Sequence, residues 1–168
     1  MKTFHLIFSV GVLFTFLSLC GCGRRSDLPE DFPKIYPCEI RVIQGGNPLE
    51  KATVSLSPMG DAGKYAGSCS GTTDADGKAF LRTYGQAGVP AGRYKVLISK
   101  LQDEGGREVE DAFGSKLIKG AKVYAYVEAK YSNKNQTPYE MEIKDQKEVH
   151  TLQCDVGAAI HQYLREAD

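Results

Sequence analysis

Residues 72–82 read TTDADGKAFLR, and the fold turns on whether Asp74-Ala75-Asp76-Gly77 is a metal loop or the corner of a hairpin. The flanks have strand composition: Thr72-Thr73 on one side, and on the other Ala79, Leu81 and Thr83 alternating with Phe80, Arg82 and Tyr84. Asp side chains cap backbone amides at such corners and Gly77 supplies the positive φ they require, so two strands joined by a tight turn are predicted. A helix-loop-helix calcium site would need a bidentate Glu at its twelfth position, which counted from Asp74 is Gly85. No metal is expected.

Outward from that corner, the period-two pattern recurs. Cys38, Ile40 and Val42 alternate with Glu39 and Arg41 from Tyr36 onward; Val54 and Leu56 share one face of Ala52 to Ser57; Tyr94, Val96 and Ile98 share one face of Gly92 to Lys100. Gly- and Pro-rich clusters separate these runs, at 44–48, 58–63 and 84–90. Residues 101–121 are charged and Gly-punctuated, which suits a surface excursion, and Ala121 to Lys130 fits a strand or an irregular segment better than a helix. Tyr139-Met141-Ile143 and Leu152-Cys154-Val156 supply the last strands, and Ile160, Tyr163 and Leu164 stand at helical spacing in the tail. The sum is an all-β sandwich of about seven strands followed by a short C-terminal helix.

The order GNPLEKATVSLSP, SGTTDADGKAFLRTY, GVPAGRYKVLISK and then AKYSNKNQTPYEMEI resembles carboxypeptidase regulatory-like domains of the transthyretin (prealbumin) type, an Ig-like β-sandwich found in bacterial envelope lipoproteins. The resemblance covers about Cys38 to Val156 and implies a fold rather than a chemistry. It also implies that the first and last strands are neighbours. Cys38 and Cys154 both have inward parity, so a Cys38–Cys154 disulfide and a pair of buried reduced thiols are both open readings.

The amino terminus carries one charge, Lys2, ahead of a predominantly apolar stretch from Phe4 to Leu19. Those positions span roughly 24 Å as a helix, short of a hydrocarbon core of roughly 30 Å, which reads as a cleaved signal peptide over 1–21. Leu19-Cys20-Gly21-Cys22 resembles a bacterial lipobox, and the resemblance implies lipidation of Cys22. Gly23 in place of Asp implies the outer membrane, so the expected location is the cell envelope, with the lipid as membrane anchor. Residues 22–37, with Pro29, Pro33 and Pro37, are expected to form a tether, 38–156 the sandwich and 157–168 the helical tail.

Loss of Lys2 with the signal leaves 20 basic against 21 acidic side chains, and Trp is absent. No clustered positive face points to nucleic acid. His150 and His161, the histidines beyond the signal, sit in no nucleophile-base motif. The expectation is therefore a non-enzymatic, cofactor-free structural or binding module for an envelope protein or polysaccharide. A carbohydrate-binding module using exposed tyrosines, with Tyr84 and Tyr131 as contacts, is the alternative, and a degenerate hydrolase relying on His150 comes after it. Partner-facing loops are expected at 60–64, 85–89 and 102–114.

Overall fold

The computed structural model describes residues 28–60, 65–109 and 121–166. The signal peptide and Cys22 lie outside the described residues, as do parts of the expected loops at 60–64 and 102–114. In chain order the strands are Ile35–Tyr36 (β1), Cys38–Gln44 (β2), Asn47–Pro48 (β3), Thr53–Pro58 (β4), Cys69–Thr72 (β5), Lys78–Phe80 (β6), Arg82–Thr83 (β7) and Gln86–Ala87 (β8). They continue as Val89–Pro90 (β9), Gly92–Ser99 (β10), Leu101–Gln102 (β11), Lys122–Ala125 (β12), Glu140–Ile143 (β13), His150–Asp155 (β14) and Gln162–Glu166 (β15). Helix is confined among the described residues to single 3-10 turns at Ala66–Ser68 and Ala129–Tyr131. The chain is all-β.

One sheet has the order β13-β10-β4-β5-β7-β8, every pair antiparallel. A second is built on β2, with β14 parallel along one side and β3 and β6 antiparallel along the other. The alternation read from sequence holds in both. Ile40 and Val42 of β2 share one buried cluster with Val54 and Leu56 of β4 and with Tyr94, Val96 and Ile98 of β10. Each such side chain, taken fully out of water, contributes roughly 1.5–3 kcal/mol, so the stability of the sandwich is concentrated between these two sheets. The buried Tyr94 hydroxyl donates to the Pro90 carbonyl at 2.9 Å, which removes the penalty of an unpaired phenol.

Residues 78–84 do not form the single strand that their alternation predicts. Lys78–Phe80 pairs with β2, and Arg82–Thr83 pairs with β5 in the other sheet. Leu81 is the crossing point. Its N–H donates to the Cys38 carbonyl, and its own carbonyl accepts from the Gly88 N–H, both at 3.0 Å. Gly71 permits the crossing, since a Cβ there would lie 2.8 Å from the Phe80 carbonyl oxygen. Crossing points like this one, together with two-residue turns, split the expected seven strands into fifteen shorter ones among the described residues. Tyr84-Gly85, expected as the start of a loop, closes the β7–β8 hairpin with φ of 50° and 78°, as a type I′ turn requires.

The tail is a strand and not a helix. Gln162–Glu166 pairs antiparallel with β12, which pairs on its other side with β11 to complete a three-stranded sheet. One or two uncapped helical turns bury too little to form alone, whereas the open side of β12 offers ladder hydrogen bonds to alternate residues of the tail. Within the stretch expected as tether, β1 pairs with β9 and Tyr36 is buried in the core; the second of two compact units runs from Asp31 to Asp168.

Candidate functional site

Asp74-Ala75-Asp76-Gly77 is a structural corner. The Asp74 carboxylate accepts from the N–H groups of Asp76 and Lys78, both at 2.9 Å, and the Gly77 N–H donates to the Asp74 carbonyl at 3.0 Å. The Gly77 carbonyl accepts from the Val42 N–H at 2.7 Å and pins the corner to β2. The same turn recurs at Asp103-Glu104-Gly105-Gly106-Arg107, where Asp103 accepts from the Gly105 and Arg107 N–H groups and the Arg107 guanidinium lies 2.7 Å from its other oxygen. The backbone and guanidinium donors of Arg107 hold the Asp103 carboxyl below its ordinary value.

The Cys38–Cys154 bridge does not form. Strand β14 does lie beside β2, but the register sets His150 against Cys38 and Cys154 against Val42. Four residues of strand, roughly 13 Å, separate the two sulfurs' positions, well beyond disulfide reach. Both thiols and that of Cys69 are free and buried. Cys38 donates to the Met141 sulfur at 3.7 Å, and Cys69 lies 3.2 Å from the Thr83 hydroxyl. Burial pushes Cys38 and Cys154 each up to about 12 and raises Cys69 as well.

Tyr84 and Tyr131 are not a joint contact surface. Tyr84, 56% exposed, stands at the β8 edge of the large sheet against Tyr65, with centroids 5.5 Å apart, and against Phe32 at 6.4 Å. Tyr131 is buried at 7% exposure and stacked on Tyr139 at 6.1 Å, because its 3-10 turn packs it into the core. His150 is likewise enclosed: its Nε2 lies 3.1 Å from the Lys144 carbonyl oxygen and its ring meets Tyr36 edge-on. His161 lies just ahead of β15 and is exposed.

Four rings do gather on the outer face of the three-stranded sheet. Tyr124 and Tyr163 are register partners across β12 and β15, and period two puts Tyr126 and His161 on the same side. His161 stacks on Tyr124 at 4.5 Å and 20°, Tyr163 meets Tyr124 edge-on at 5.8 Å, and Tyr126 lies 5.2 Å from His161. Tyr163 is 52% exposed. At the rim the Tyr124 hydroxyl donates to Glu104 at 3.2 Å, and Lys122 pairs with the same carboxylate at 3.0 Å. Burial and the Glu104 charge raise the Tyr124 phenol, while Lys122 and the phenol hold Glu104 low. The Lys100 ammonium stands 5.8 Å from the Tyr126 ring centre, and burial lowers its basicity.

The opposite face of this sheet is apolar. Val123 and Val109 form a small buried cluster, and a cleft of about 260 Å³ runs beside Lys100, Leu101, Val127, Ala129, Gln162 and Leu164. Sequence reading missed the four-ring face for one reason. The spacing of Ile160, Tyr163 and Leu164 reads as a helix, which hides the pairing of the tail with β12 that brings Tyr163 and His161 beside Tyr124 and Tyr126. Comparison of the chain with family models, curated proteins and solved structures gave no match.

Proposed function

We propose that the chain is a lipid-anchored, non-enzymatic module of the bacterial cell envelope: a transthyretin-like, carboxypeptidase regulatory-like sandwich held at the outer membrane by acyl chains on Cys22. The carrying observation is the run Leu19-Cys20-Gly21-Cys22 directly after the apolar stretch from Phe4 to Leu19. More than one acyl chain anchors stably where a single chain does not. Support for a binding rather than a catalytic role comes from how the reactive groups are used. His150 is engaged by a backbone carbonyl, His161 by aromatic rings, Asp74 and Asp103 by turn amides, and the thiols are buried.

Metabolic labelling with a palmitate analogue followed by detergent phase separation tests the anchor. The intact chain is expected to carry label and enter the detergent phase. Cys22→Ser should lose the label and move to the aqueous phase, and unchanged partition of Cys22→Ser contradicts the reading.

A further inference from the structure

Extending that reading, and resting on it for the acyl anchor, we infer that the sandwich lies against the surface of a phospholipid bilayer through Phe80, Tyr84 and Val149. Phe80 and Val149 are 61% and 51% exposed, and with Tyr84 they are among the most exposed large apolar side chains of the described residues. Register fixes where they point. Strand β2 has β6 on one side and β14 on the other, with Phe80 against Glu39 and His150 against Cys38. Cys38, Ala79 and His150 are buried, so the pleat turns their neighbours Glu39, Phe80 and Val149 outward. That outward side of the chain continues from Phe80 through Arg82 to Tyr84. All three apolar groups border the segment 32–37 that leads into β2. Phe32 meets Tyr84 edge-on at 6.4 Å, and the Pro37 carbonyl accepts from the N–H of His150, next to Val149, at 2.9 Å. The Cys38 carbonyl then accepts from the N–H of Leu81, next to Phe80, at 3.0 Å.

Exposed apolar residues that scatter singly need no ligand, but these gather around the segment that leads back, ten positions before Phe32, to Cys22. The side-chain types suit a bilayer. Phe belongs among acyl carbons and Tyr at the headgroup level, where its ring is apolar and its hydroxyl wet. Arg82 stands exposed between them, and among the described residues no carboxylate pairs with it. Its stem can lie along the apolar layer while the guanidinium meets a lipid phosphate. Nearby, Lys34 pairs with Asp145 and Lys78 with Glu39, so the surroundings carry no excess of negative charge against that contact. A stable protein interface takes about 800 Å² from each partner, more than three side chains offer. Three side chains are also too few to hold a free protein to a membrane. For a chain already anchored, docking is intramolecular, and the high effective concentration lets a weak contact persist.

The protein contains no Trp, so a single introduced indole reports its own surroundings. The intact acylated chain is reconstituted into vesicles of phosphatidylethanolamine with a minority of phosphatidylglycerol, with and without brominated acyl chains. Phe80→Trp and Val149→Trp should each lose about half of their emission or more to bromine, as a ring about 5–10 Å below the headgroups would. Tyr163→Trp should lose little, because its strand belongs to the sheet that begins with β11, beyond the far end of the eight-residue strand β10 that leads away from β9. Adding Phe80→Glu and Val149→Glu to a Tyr84→Trp chain should remove the quenching read at position 84. Both positions are exposed, and coincident thermal unfolding checks that the fold is kept. Equal quenching of Phe80→Trp and Tyr163→Trp, quenching of neither, or quenching at position 84 indifferent to the double substitution overturns the inference. So does a blue shift of Phe80→Trp that bromine leaves untouched and that grows with protein density in the vesicle, which assigns the patch to a second copy of the chain. Acylation is read separately: an intact chain without palmitate label removes the anchor reading and this inference with it, whereas a labelled chain without bromine quenching removes the docking alone.

Discussion

Asp74 and Asp103 each open a five-residue turn, DADGK and DEGGR, in which the carboxylate accepts two backbone N–H groups and the fourth residue takes a left-handed conformation, with φ of 72° at Gly77 and 73° at Gly106. The two glycines therefore carry the same conformational demand in different surroundings. A Cβ on Gly106 would meet open space, whereas one on Gly77 would run into the Val42 carbonyl oxygen. Gly106→Ala should lose about 1 kcal/mol from positive φ alone. Gly77→Ala should lose about 2 kcal/mol or more, because the corner must also move away from β2. Urea unfolding at a common m value measures both, and equal losses would show that backbone strain alone, rather than the contact with β2, requires glycine at position 77. At this same scale Asp74 works as a turn cap, its Oδ1 accepting both turn amides.

At the scale of elements, the strands that seat in the core were legible and those that trade partners were not. Cys38–Gln44, Thr53–Pro58 and Gly92–Ser99 alternate over enough residues, with the middle of one face buried, for period two to mark them. The passage of Lys78–Thr83 from one sheet to the other leaves the alternation intact and changes only the hydrogen-bond partners, which no local pattern records. The tail misled for a related reason: Ile160, Tyr163 and Leu164 fit a helical period as well as a strand, and the open side of β12 decided between them. That displaced half of the four-ring face, so the candidate site was less legible than the fold. The structure also ranks the sheets. The β11-β12-β15 sheet rests on Val109 and Val123 with Leu101, while β2, β4 and β10 share the large core. Native-state hydrogen exchange should show β12 and β15 opening at a free energy well below that of β4 and β10. Equal protection across all four strands would mean that the small sheet and the sandwich form one cooperative unit.

For the whole molecule, the buried acids set the response to alkali. Cys38 and Cys154 are pushed up to about 12 from an ordinary thiol value of 9.0, and Cys69 and the Tyr94 phenol are also raised, in each case chiefly because burial penalises the anion. The unfolded chain releases these protons first. Their contribution to stability is therefore complete below about pH 9 and is lost as pH rises from there toward about 12. Each of the two most raised thiols can withdraw at most about 1.4 kcal/mol per pH unit over that interval. The acid side differs in kind. Asp103, Glu104, Glu140 and Asp145 are held below their ordinary values by hydrogen bonds and neighbouring cations, so what they contribute is lost as pH falls below about 4. Because most of those pairs face solvent, that loss should be softened by salt. Denaturant unfolding at about pH 8 and about pH 11 should show a steep fall in stability that 0.5 M NaCl, a concentration of about half-molar, leaves nearly unchanged. Cys154→Ala should flatten the fall in proportion to the one proton removed. Stability that stays level from pH 8 to 11 would contradict the burial of these free thiols.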